Sequence, residues 1–123
     1  MNNEDIKELH EEYYATIGIH PDSSRRANQV QARAALMVAM ANHITKSATA
    51  KSFGKDHSTV IHHQNQHEAN MFSWKGYEEK YLIASRLCCL YLKYKSVKRK
   101  LKTVRIQIKR LEDLAANLKQ EIG

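Results

Sequence analysis

Gly54-Lys55-Asp56-His57-Ser58-Thr59-Val60-Ile61-His62 is the stretch on which the fold turns. Gly54 closes one helical segment, because helices commonly end on a residue with positive φ and glycine adopts that conformation without steric cost. Two residues later Asp56 reads as the N-cap of a new helix. Upstream, Thr45 is placed to cap a short helix over residues 46–53. Helix, tight glycine turn and helix over residues 45–70 give the outline of a helix-turn-helix.

The second helix of this pair has an odd composition. Between His57 and Asn70 only Val60, Ile61 and Ala69 are apolar, while four His, two Gln and two Asn fill most other positions. So narrow an apolar stripe packs along one edge and leaves most of the surface facing outward. Its polar side chains are short donors and acceptors, the kind that reads base edges in a major groove.

Working outward, the rest of the chain is also helical in pattern. Its 123 residues include one Pro and four Gly, too few turn formers for an all-β fold, so the expected class is all-α. Ile6, Leu9, Tyr13 and Ile17 form one helical stripe, ended by Gly18 and the Ile19-His20-Pro21-Asp22 turn. Asp22, Ser23 and Ser24 are candidate caps for a second helix reaching about Ile44, with Val30, Ala34, Met37, Ala41 and Ile44 on one face. Residues 71–76 read as a hinge with apolar anchors. From Ile83 the positions Leu87, Leu90, Tyr94, Val97, Leu101, Val104, Ile108, Leu111, Ala115, Leu118 and Ile122 alternate spacings of four and three. Such a heptad seam predicts a long coiled-coil helix, paired as a homodimer through residues 83–122. A bend near Lys95-Ser96, giving an antiparallel hairpin, is the alternative.

Charge is unevenly placed. The formal net charge is +7, yet residues 1–22 carry −5, residues 23–63 carry +5, and residues 81–111 hold ten Lys/Arg with no acid. Two separate basic segments point to a polyanionic partner, and nucleic acid is the first candidate. Solvated lysine faces are the plainer explanation.

The nine-residue stretch resembles the recognition-helix motif of the C-terminal DNA-binding domain (domain IV) of the bacterial replication initiator DnaA. In that family a Gly-rich turn is followed by Asp-His-Ser/Thr-Thr-Val and then a His one turn on. The resemblance extends upstream through Arg25, Arg26 and Gln31-Ala32-Arg33 and covers roughly residues 20–67. It implies a Trp-repressor-like helix-turn-helix that binds double-stranded DNA. By that resemblance Asp56, His57, Ser58 and Thr59 face bases and phosphates in the major groove, with His62 one turn along. Arg25, or Arg26, enters the adjacent minor groove, Lys55 contacts a phosphate, and Arg33 belongs to the same basic surface. The turn here is one residue shorter than the family's, and Ala48, Thr49 and Ala50 stand where the family places Leu and Ile-Gly. The residue types suit these roles independently, since a helix N-terminus offers free N–H groups and projects side chains into a groove. Plainer roles exist for each: Asp56 as a cap only, Thr59 bonded locally, Arg33 as a flanking ion-pair partner.

The pattern divides the chain into a DNA-binding segment over residues 1–72 and a basic helical segment over residues 73–123. No phosphate-cradling glycine loop accompanies Gly54-Lys55, so an ATP-driven initiator is not expected. An enzyme is not expected either, because Ser58 beside His57 has no third member to orient it. His63 and His67 stand at i, i+4 but no Cys or paired carboxylate completes a metal site, so neither metal nor cofactor nor small-molecule substrate is expected. Cys88 and Cys89 are adjacent, which suits no ordinary disulfide. No run of 18 apolar residues exists and Met1-Asn2-Asn3-Glu4-Asp5 is acidic, so a reduced, cytoplasmic location away from membranes is expected. The competing function class is a coiled-coil interaction or architectural protein that binds a protein partner or coats nucleic acid non-specifically.

Overall fold

The computed structural model describes residues 3–122, apart from the side chains of residues 95, 96, 98 and 122, so Ile122, the last seam position, falls outside it. Every regular element among these residues is helical: α1 (Asn3–Ile17), α2 (Ala27–Ala41), α3 (Lys46–Ser52), α4 (His57–Ser73), α5 (Tyr77–Cys88), a π-helical stretch (Cys89–Tyr94) and α6 (Lys95–Ile122). Two compact units result, Met1–Lys93 and Tyr94–Gly123.

In the first unit α2 is the central rod. Its Ala- and Met-rich sequence has high helix propensity and small side chains, so neighbours approach it from several sides. Residues 34–40 are buried without exception. The α1 stripe lies against it, with Leu9 and Tyr13 fully buried and Ile6 and Ile17 packed on the same cluster. The Tyr13 hydroxyl donates to the Ala32 carbonyl at 2.8 Å, which satisfies its one polar group inside the core. A smaller cluster of Met37, Ala50 and Val60, flanked by Phe53, joins α2 to α3 and α4.

The start of α2 differs from the sequence expectation. Neither Asp22, Ser23 nor Ser24 caps it; the helix begins at Ala27 after Arg26, with no side-chain cap. Asp22 instead accepts from the Ser24 backbone N–H at 2.8 Å, a local turn that competes with capping. Three polar side chains of α2 then clasp the neighbouring connections. Gln29 donates to the His20 carbonyl at 2.7 Å and accepts from the Asp22 N–H at 3.1 Å. Gln31 donates to the Lys75 carbonyl at 2.9 Å and accepts from the Lys80 ammonium at 2.6 Å. Arg33 spans the Asp22 and Ser24 carbonyls at 2.8 and 2.7 Å.

The compact unit runs past the boundary at residues 72/73 that the charge and heptad pattern suggest. The helix α4 continues to Ser73, and α5 packs on α2 through Tyr77, Ala84 and Cys88, all fully buried. Ile83 and Leu87, the first two seam positions, lie partly buried against the α1–α2 cluster. Their 4-and-3 spacing serves an intramolecular core as well as a coiled coil. Burial pushes the Cys88 thiol up to about 12, with Cys89 adding to the effect. The chain stays helical through Lys95 and Ser96, so no hairpin turn forms there.

The second unit is α6, an amphipathic helix. Val97, Leu101, Val104, Ile108, Leu111 and Leu118 are exposed along it, each roughly half or more accessible, for example 49 % at Leu101 and 52 % at Leu118. No helix among the described residues is long and apolar enough to cross a membrane.

Candidate nucleic-acid interface

The α3–α4 turn is built by backbone bonds. Thr45 caps α3 by accepting from the Ala48 N–H at 3.1 Å, as its position suggested. At the other end Gly54 has φ +66°, its N–H donates to the Lys51 carbonyl at 3.0 Å, and the Lys55 N–H donates to the Ala50 carbonyl at 2.9 Å. This double bond pattern is the Schellman motif, which requires a left-handed residue at Gly54's position. It delivers Lys55 and Asp56 to the surface immediately before α4.

Asp56 occupies the N-cap position of α4 but makes no side-chain cap bond. Its carboxylate turns instead to the His57 ring, Oδ1 to Nδ1 2.8 Å, with both side chains well exposed. The helix N-terminus is thereby left with amide donors that no side chain of Asp56 occupies, the arrangement that receives phosphates.

Beyond the first turn one edge of α4 is anchored and the other is open. Val60 is fully buried on Met37 and Ala50, and Thr59 is half-buried beside it. His57, Ser58 and His62 are exposed, and so are Ile61, Asn65, Gln66, Glu68 and Ala69. Ser58, Ile61, His62 and Asn65 follow one another at helical spacing and form a single outward strip. Ile61 and Asn65 were not among the residues the motif singled out; extending it one turn beyond His62 finds Asn65. Phe72, 95 % accessible, ends the same side of the helix.

The other histidines of α4 face inward. His63 is half-buried, and its basicity is lowered by burial, then by His62 and Arg33. His67 lies 2.7 Å from the Tyr77 hydroxyl, meets the Tyr81 ring at a tilt with 4.3 Å between centroids, and is likewise lowered by burial. Among the described residues no three His, Cys, Asp or Glu gather as metal ligands.

The upstream arginines separate into two kinds. Arg25 and Arg26 are exposed on the segment leading into α2. The Arg33 guanidinium is tied to two backbone carbonyls, so its first role is to hold residues 22–24 on α2. Arg33 and Lys55 nevertheless line one open groove of about 890 Å³ together with Tyr14, Pro21, Phe53 and Gly54. Lys46 and Lys51 on α3 are exposed too and add to the basic surface without having been picked out by any motif.

The chain matches no protein-family model, and no curated protein or solved structure is similar enough to it to count as a match. What the first unit offers chemically is therefore read from its own residues. A helix seated on one edge presents short hydrogen-bonding side chains, an open amide terminus and flanking cations.

Proposed function

We propose that this protein is a sequence-specific double-stranded DNA-binding protein, a replication-origin or transcriptional regulator of the cytoplasm with no ATPase activity of its own. In this reading α3 and α4 form a Trp-repressor-like helix-turn-helix of the DnaA domain IV kind, with α4 as the recognition helix. The observation that carries it is the outward strip of α4: Ser58, His62 and Asn65 project from a helix whose opposite edge is pinned by Val60. Short polar groups on a fixed helix can discriminate base edges, whereas long flexible cations discriminate poorly. His57, Thr59 and Asp56 at the helix start, Lys55 before it, and Arg25 or Arg26 from the α2 approach supply the remaining contacts. The exposed seam of α6 supports pairing of two copies, which matches two half-sites.

A second reading is favoured by α6 alone, whose exposed apolar seam shares its sequence with Arg99, Lys100, Lys102, Arg105, Lys109 and Arg110. Such a helix can coat nucleic acid non-specifically or bind a protein partner.

Fluorescence anisotropy on labelled duplexes separates the two. In the first reading His57→Ala or Thr59→Ala each costs about 1–3 kcal/mol on the preferred duplex and little on others. The charge reversals Arg99→Glu and Lys102→Glu lower affinity for all duplexes alike. Unchanged binding in both α4 variants sinks the helix-turn-helix reading.

A further inference from the structure

We propose that α6 pairs with α6 of a second copy in antiparallel orientation, its basic N-terminal part lying against the acidic C-terminal end of the other. The proposal rests on the dimer reading above and adds the orientation, which the resemblance to DnaA does not address.

The seam along α6 is exposed and regular, with Leu101 and Ile108 on one set of positions and Val97, Val104, Leu111 and Leu118 on the other. With 28 residues the helix offers about four heptads, enough for a coiled coil. Its charges are segregated. Residues 81–111 hold no acid, while residues 112–121 carry Glu112, Asp113 and Glu121 against the single Lys119.

Parallel pairing in register makes poor use of this pattern. The residue before each Leu101-type position faces the residue after the Val104-type position of the next heptad. Those pairs are Lys100 with Arg105, Gln107 with Glu112, and Leu114 with Lys119. One is repulsive and none joins opposite charges. The same register also sets Tyr94 on Tyr94 and Ala115 on Ala115, the second a thin layer with little to fill it.

Antiparallel pairing fills the thin layers. Tyr94 of one copy opposes Leu118 of the other, Val97 opposes Ala115, Leu101 opposes Leu111 and Val104 opposes Ile108, so every seam residue from 94 to 118 has an apolar partner. Glu112 then lies on the same side of the seam as Arg105 of the other copy and within its reach, and the two-fold symmetry repeats the contact.

Charge reversal at Arg105 gives opposite signs in the two orientations, because it faces Lys100 in the parallel pair and Glu112 in the antiparallel one. The full chain and its variants are compared by sedimentation equilibrium without DNA, with far-UV circular dichroism as a check on helicity. Antiparallel pairing predicts that Arg105→Glu weakens the dimer by roughly tenfold and that adding Glu112→Lys restores it. A tighter Arg105→Glu dimer means parallel pairing and overturns the proposal, as does an unchanged dimer. A wild-type chain that is monomeric at every concentration overturns the dimer reading itself, while α4-dependent DNA binding stands or falls on the anisotropy data.

Discussion

The His10 imidazole of α1 lies 3.1 Å from the Ser52 hydroxyl of α3 and 4.4 Å, centroid to centroid, from the ring of Phe53 at the α3–α4 turn. Burial drives its basicity down to about 4 from an ordinary 6.5. The folded protein therefore binds this proton less readily than the unfolded chain. Stability is fully present above about pH 6.5 and falls as the pH drops toward 4, by up to about 3 kcal/mol from this group. His63 and His67, also lowered by burial, act in the same direction. Urea unfolding at pH 7, 5.5 and 4.5 is expected to show the decline, and His10→Gln to flatten it. An undiminished slope in that variant assigns the acid sensitivity elsewhere.

Two glycines should respond unequally to alanine. At Gly54, φ +66°, an added Cβ meets nothing within 4 Å, so Gly54→Ala costs only the backbone strain, about 1 kcal/mol. At Gly76, φ +90°, the Cβ comes within 3.2 Å of the Gln31 side-chain oxygen, which already holds Lys80. Gly76→Ala should lower the denaturation midpoint further than Gly54→Ala; equal losses would show that Gln31 yields freely.

Arg33 and Arg25 should differ in kind. Arg33→Lys cannot reproduce a fork that reaches two carbonyls, so it is expected to lose about 1 kcal/mol of stability, with DNA affinity reduced as a consequence. Arg25→Ala leaves stability unchanged and lowers affinity directly. Thermal melts beside anisotropy titrations check both, and a stable Arg33→Lys with normal melting contradicts the bracing role.

The helix pair at the candidate site was legible because its signals are local. Thr45 caps α3, Gly54 adopts positive φ and Val60 is core, each as the residue type dictates. The failures share a cause in tertiary context. Asp22 and Ser24 bond to each other and leave the start of α2 uncapped, because Gln29 and Arg33 hold that segment from seven to eleven residues away. Asp56 sits at the cap position, but its carboxylate goes to His57. Ile83 and Leu87 carry the same spacing as the α6 seam but lie against α1 and α2, since a 4-and-3 pattern does not say which surface covers it. Asn65 was missed because the motif ends at His62, whereas the exposed strip is set by which edge Val60 buries.

Selection from a library of random duplexes by the full-length protein tests the central claim most directly. The account predicts enrichment of a defined sequence that His57→Ala or Asn65→Ala changes or abolishes, with general affinity for duplex DNA retained. A library that emerges without an enriched sequence, bound by wild type and by these variants equally, would contradict it.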